Sequence, residues 1–372
     1  MLEHLELENY RGHRLTRIPL TRFTLLVGDN AVGKSSALEA VHLVGQIFDK
    51  DKRPEKLFRG KRSLSWLALS GATGAMALRL HGHEDDKPWS LEVTSPDREK
   101  ASAMTYGWSL GETRQESLPL DSASLAADPS RPPKEVRRVQ SAVVLKLDAR
   151  RLAAPSTSDE EQPRIEFDGT GLATALQFLK VADLEAFKAF EEAAKRVVPA
   201  LTEVRFARVR QEETRQRVVT VENERVQIPE TTSFIADELR LQFKGTSPLP
   251  AHSASEGTLL AMGMLAFLHL PRCPSVVLLD DIDRALHPRA QAELVAAIRR
   301  ILHDRPTTQV IATTHSPYLA DSFTPEEVVV LGRPKDGPVV AQRLADHPDQ
   351  KLLKSLTTGE FLAASGADWF GL

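Results

Sequence analysis

The chain has 372 residues, 41% of them hydrophobic, which is enough for a large core in one or two lobes. A formal net charge of −3 gives no global drive toward nucleic acid or anionic membrane, so any basic surface must be local. The single cysteine, Cys273, cannot close an internal disulfide, and the apolar run "GTLLAMGMLAFLHL" is shorter than the roughly 18 residues of a membrane span. With no apolar signal core in "MLEHLELENYRGH", a cytoplasmic protein without a membrane span is expected.

Residues 1–10 alternate apolar and polar, the period of a half-buried strand. "FTLLV" (23–27) is a short apolar strand followed by a glycine-bearing loop and a helix with Leu38, Val41, Gly45 and Phe48 on one face. From about 50 to 145, short runs such as "AMALRLHG" and "WSLEV" are split by Gly, Pro and Asp, as in an antiparallel meander. Residues 121–135 are expected as a loop or linker, and 141–149 as a strand. Two helices follow, one aligning Leu172, Ala175, Leu176 and Leu179, the next Leu184, Phe187 and Phe190. Two or three strands are expected over about 202–243. From 255 onward helix and strand alternate, the pattern of α/β packing on a mostly parallel sheet.

Four motifs carry chemistry. "GDNAVGKSS", Gly28 to Ser36, fits G-x-x-x-x-G-K-[ST] with Gly28, Gly33, Lys34 and Ser35, between a strand and a helix as the motif requires. Glycines let backbone N–H groups curl around phosphates, and the helix N-terminus adds a favourable dipole. Lys34 would reach the β- and γ-phosphates and Ser35 would ligate Mg²⁺; Asn30, Ala31 and Ser36 complete the loop. "VVLLDD" places Asp280 at a strand end, where it would hold Mg²⁺, and Asp281 where a water-activating acid would stand. An acidic cap for the following helix would account for Asp283, but poorly for two acids leaving a buried strand. "QVIATTHSP" ends a third strand in His315, which would contact a γ-phosphate. "HSASEGTLL" offers Ser255, Glu256 and Gly257 at a helix start, a second anion site unless it is an ordinary N-cap.

In this order the four motifs resemble the ABC-type ATPases of the SMC/RecF/OLD branch. The resemblance implies a P-loop α/β fold, an ABC-ATPase head with an antiparallel β-meander lobe and an insertion between Walker A and the signature motif. It implies that ATP is the substrate and that the chain works as a homodimer or higher oligomer. "SASEGT" then matches the signature acting in trans, "IDRALHP" with Asp283 and His287 the D-loop region, and His315 the switch histidine. "LENYRGHRL" is similar to the family's N-terminal strands, with Arg11 after an aromatic. The ATPase core is expected over 1–50, 141–170 and 230–372, the β lobe over 51–140, and a helical plus β insertion lobe over 171–229.

The chain departs from that family in three ways. The catalytic acid is usually Glu; Asp281 is one methylene shorter, so slow hydrolysis is expected. The signature has Glu256 where the family has a glycine. Gln140 is the candidate for the metal-contacting glutamine. Neither SMC arms nor the Toprim nuclease domain of full-length OLD proteins is expected, and the chain resembles stand-alone OLD-like members. That implies a separately encoded effector, a nuclease or toxin, in anti-phage or mobile-DNA defence. Two other functions stay open: a RecF-like DNA clamp using Arg205, Arg208, Arg210, Arg215 and Arg217, or a scaffold that binds ATP without turnover.

Overall fold

The structure is a computed structural model and describes residues 1–47, 64–96, 103–120, 131–221, 224–334 and 337–365. The expectations at Phe48 and at 121–130, and those on the Arg215 and Arg217 side chains, lie outside what it describes.

In chain order the elements are β1 (Leu2–Tyr10), β2 (His13–Pro19), β3 (Phe23–Gly28), α1 (Lys34–Ile47), α2 (Leu64–Leu67), β4 (Met76–Glu84), β5 (Lys87–Ser95), β6 (Thr105–Leu110), β7 (Thr113–Pro119) and β8 (Val143–Leu145). They continue as α3 (Ala149–Ala153), α4 (Leu172–Ala182), α5 (Leu184–Val197), β9 (Leu201–Val221), β10 (Glu224–Phe243), β11 (Leu249–Pro250) and α6 (Glu256–His269). The chain closes with β12 (Val276–Leu279), α7 (Pro288–Asp304), β13 (Gln309–Thr313), α8 (Pro317–Ala320), β14 (Val328–Gly332), β15 (Val340–Arg343), α9 (Gln350–Ser355) and α10 (Thr358–Ser365).

Two compact units are built from these elements. The first comprises Met1–Leu145, Pro274–Asp283 and Arg299–Leu372. It holds a six-stranded antiparallel sheet in the order β2-β1-β4-β5-β6-β7, and a second sheet in the order β15-β14-β3-β13-β12-β8. In the second sheet β14, β3, β13, β12 and β8 run parallel, and only β15 is antiparallel. The meander is therefore as expected, but β1 and β2, grouped above with the core, hydrogen-bond into it through β4. The alternation of β1 is the cause: Leu5 and Leu7 turn inward to a core that also takes residues of α1 and of both sheets. The strands of the parallel sheet read as unbroken apolar runs because both of its faces are covered: all four residues of β12 and all five of β13 and β14 are buried.

The second unit comprises Lys146–Cys273 and Arg284–Ile298. Its helix α6 is buried from Gly257 to His269 on every face, as an all-round apolar sequence requires. Strands β9 and β10, two strands where two or three were expected, form one long antiparallel hairpin, and β11 joins it only at Arg240 and Leu241. In this hairpin Asp237 stands opposite Arg208 and Glu230 opposite Arg215, while Arg205 stands opposite Arg240, Arg210 opposite Ile235 and Arg217 opposite Ile228.

Helix α1 approaches the 3-10 helix at Val136–Ser141 through Gly45, where an added Cβ would lie 2.2 Å from the Val139 carbonyl oxygen. Gly45→Ala should lower the thermal midpoint even though alanine favours helix by about 1 kcal/mol. Thermal unfolding by circular dichroism checks this; a raised midpoint would mean that the close approach imposes no constraint.

Candidate nucleotide site

The site lies at the C-terminal ends of the parallel strands. Strand β3 delivers Gly28 with φ at +143°, where a Cβ would stand 2.1 Å from the Leu331 carbonyl oxygen, so only glycine fits. Ala31 at +61° and Gly33 at +108° complete the turn, and α1 begins at Lys34 with its free N–H groups facing the loop. Asp29, Asn30 and Ala31 form the exposed tip; Ser36 is half-buried. The Lys34 side chain is buried, its ammonium donating to the carbonyl oxygens of Gly28 at 2.7 Å and Asp29 at 3.0 Å. Burial lowers its pKa, which the nearby carboxylates, Asp281 foremost, partly oppose.

The acids arrive on β12, which is separated from β3 by β13. One hydroxyl from each neighbouring element reaches Asp280: Ser35 Oγ at 2.9 Å and Thr313 Oγ1 at 2.8 Å. Thr313 also accepts from the Asp281 N–H at 2.8 Å, and Ile282 donates to the Thr313 carbonyl at 3.0 Å. These bonds hold Asp281 at φ +52°, a left-handed conformation that Asp accepts more readily than longer side chains. Its carboxylate lies 3.6 Å from His315 Nε2. Burial, reinforced by Asp280, raises the Asp281 pKa. Thr314 donates to Asp283 at 2.6 Å.

Lys34, Ser35, Asp280, Asp281, Asp283 and His315 are thus brought to one sheet edge. Gln140 is not: it precedes β8, and Ser141 beside it bonds Ser275 at the start of β12. In a parallel sheet, residues ahead of a strand lie at the edge opposite the phosphate loop, so Gln140 cannot serve a metal there. Arg11, in the β1–β2 turn, pairs with Glu39 of α1 at 2.9 Å.

The remaining candidates belong to the second unit. Ser255 caps α6, accepting from Thr258 N at 3.3 Å. Gly257 is needed for packing, since a Cβ would meet the Ala285 carbonyl oxygen at 2.2 Å. Glu256, where a glycine was the expected residue, is neutralised by Arg284 at 2.6 Å. His287 Nδ1 accepts from Arg289 N at 3.4 Å in the turn that starts α7.

Sequence reasoning missed three residues: Thr313 and Thr314, which orient the acids, and His13, which is buried against Gly33. The two threonines had a signal, adjacent hydroxyls immediately before His315 at a strand end. His13 had none, because its contact is made across the fold.

Among known proteins, the chain is similar in fold to an SMC head bound to the C-winged helix domain of ScpA. That likeness has a TM-score of 0.59 at 14% identity, covering 92% of this chain and 98% of the other. An SMC head with an extended coiled coil, bound to a C-terminal domain of ScpA derived from Pyrococcus furiosus, gives 0.52 at 12%, covering 95% and 98%. A segment of 69 residues is 38% identical to the Septu protein PtuA of Bacillus thuringiensis; it spans 18% of this chain and only 17% of that relative. Residues 23–321, from the first residue of β3 to just beyond α8, match the model of the family described as "AAA domain, putative AbiEii toxin, Type IV TA system". Its phosphate loop and acid-tipped strand lie within that span, and the chain belongs to this P-loop ATPase family.

Proposed function

We propose that the protein is an ATP-driven switch in which two copies close head-to-tail around two ATP molecules and reopen after slow hydrolysis. The observation that carries this reading is the hydroxyl–carboxylate chain Ser35–Asp280–Thr313, which fixes Asp281 next to His315 beside the phosphate loop. Ser35 and Asp280 offer two hard oxygen donors within one hydrogen bond of each other, a pair that suits Mg²⁺ with its remaining ligands from water and phosphate. Bound there, Mg²⁺ would neutralise charge on the β- and γ-phosphates.

The roles of the chain's own groups follow from their positions. Loop N–H groups and Lys34 bind the phosphates. Asp281 accepts a proton from the attacking water and orients it; His315 donates to the γ-phosphate and steadies Asp281. Ser255 and the α6 N-terminus, with Gly257, complete the partner's pocket, and Asp283 and His287 lie in the turn that meets the partner. The positive φ at 281 supplies a reason for Asp there, since the shorter acid tolerates the left-handed region more readily than Glu.

The switch controls a separately encoded effector, a nuclease or toxin, in defence against phage or mobile DNA. The family's toxin–antitoxin description and the short match to a Septu protein support that assignment. Asp237 opposite Arg208 and Glu230 opposite Arg215 reduce the net positive charge of β9, which weighs against a DNA clamp.

Lys34→Ala should weaken ATP binding by about 100-fold or more, measured by calorimetry, because it removes the buried cation that the loop is built around. Asp281→Asn should retain ATP affinity, lower turnover by about 100-fold and accumulate an ATP-dependent dimer on size exclusion with light scattering. Equal, background-level turnover in wild type and Asp281→Asn would remove the enzyme reading and leave the ATP-binding scaffold.

A further inference from the structure

His13 opens β2 and is wholly buried, yet it belongs to none of the four motifs. Its Nε2 lies 3.3 Å from the carbonyl oxygen of Gly33, the glycine immediately before the Lys34 that starts α1. Its Nδ1 lies 3.1 Å from Thr16 Oγ1, which in turn donates to the Val339 carbonyl at 2.7 Å. A carbonyl can only accept, so the Gly33 contact requires the Nε2–H tautomer. Nδ1 is then an acceptor that shares the Thr16 hydroxyl proton with Val339. Burial, with Arg333 nearby, pushes the imidazole pKa down to about 4, in keeping with that neutral form.

The ring also fills the space in which a Gly33 side chain would lie: a Cβ there would meet His13 Nε2 at 2.3 Å. Gly33 holds φ at +108°, a conformation open to glycine, and its carbonyl also accepts from Ala37 N of α1 at 3.0 Å. One imidazole thus lies against the loop and adds a second donor, from the antiparallel sheet, to the carbonyl at which α1 begins.

We propose that His13 is a positioning residue for ATP: from the antiparallel sheet it fixes Gly33, so that the N–H groups of the phosphate loop are aimed before the nucleotide arrives. Preorganised donors bind an anion without the cost of ordering, so the effect belongs to affinity and not to the chemical step. The proposal rests on ATP binding at Gly28–Ser36, and titration of the wild-type and Lys34→Ala proteins tests that premise separately.

The experiment compares His13→Phe and His13→Leu, which keep apolar volume without a donor, with His13→Gln, whose side-chain amide can still donate to Gly33. ATP affinity by calorimetry, turnover and thermal midpoint are read for each full-length variant. The expected result is ATP binding weaker by about ten-fold in the Phe and Leu variants, the loss of one hydrogen bond and its alignment. Turnover at saturating ATP stays within about two-fold, and Gln recovers affinity to within about three-fold of wild type. The proposal is overturned if the apolar variants bind ATP as wild type does, if Gln binds no better than Phe and Leu, or if affinity is lost only in step with the thermal midpoint.

Discussion

Everything at the site depends on one carboxylate, Asp280, held between two hydroxyls. The strand order puts β13 between the loop strand and the acid strand, so the acid and the phosphate loop are not neighbours in the sheet. Ser35, at the start of α1, and Thr313, at the end of β13, bridge that gap. Thr313 then holds the Asp281 backbone as well. One threonine therefore couples Asp280 and Asp281, and the conformation of Asp281 follows from that tie.

The antiparallel sheet is the other support. Its strand β2 reaches the phosphate loop through His13 and reaches the Val339 carbonyl through Thr16. Buried polar groups that are fully paired rigidify what they touch. The glycines at 28 and 33 are free to adopt positive φ but are not free to move, because Leu331 backbone lies against one and His13 against the other. Conformational freedom of the residue type and constraint by its neighbours together give a loop with one shape.

What could be read from the sequence follows the range of the interactions. The phosphate loop is contiguous, with its strand and helix on either side, so its residues were legible at once. Asp280, Asp281 and His315 were legible because an apolar strand seldom ends in charged or titratable groups unless a ligand meets them there. The fold class followed from the alternation of helix and strand after 255 and from the meander texture before 145. Gln140 failed because strand direction decides which edge a flanking residue occupies, and the expected strand at 141–149 is in fact β8 at 143–145 with α3 close behind. The inclusion of β1 and β2 in the meander, and the burial of His13, depend on pairings across some 70 residues and on contacts between sheets. No local pattern encodes those.

The proposed switch stands on one point, that each nucleotide pocket is completed by a second copy of the chain. Mixing two inactive variants tests it: Lys34→Ala, which spoils the phosphate loop, and Ser255→Arg, which blocks the α6 N-terminus. In a mixed dimer one composite pocket carries both changes and the other carries neither. The mixture should regain roughly a quarter of wild-type ATP turnover, as random pairing of a two-fold dimer requires. A mixture no more active than its two components, or a Ser255→Arg protein that hydrolyses ATP as well as wild type, would contradict the shared pocket.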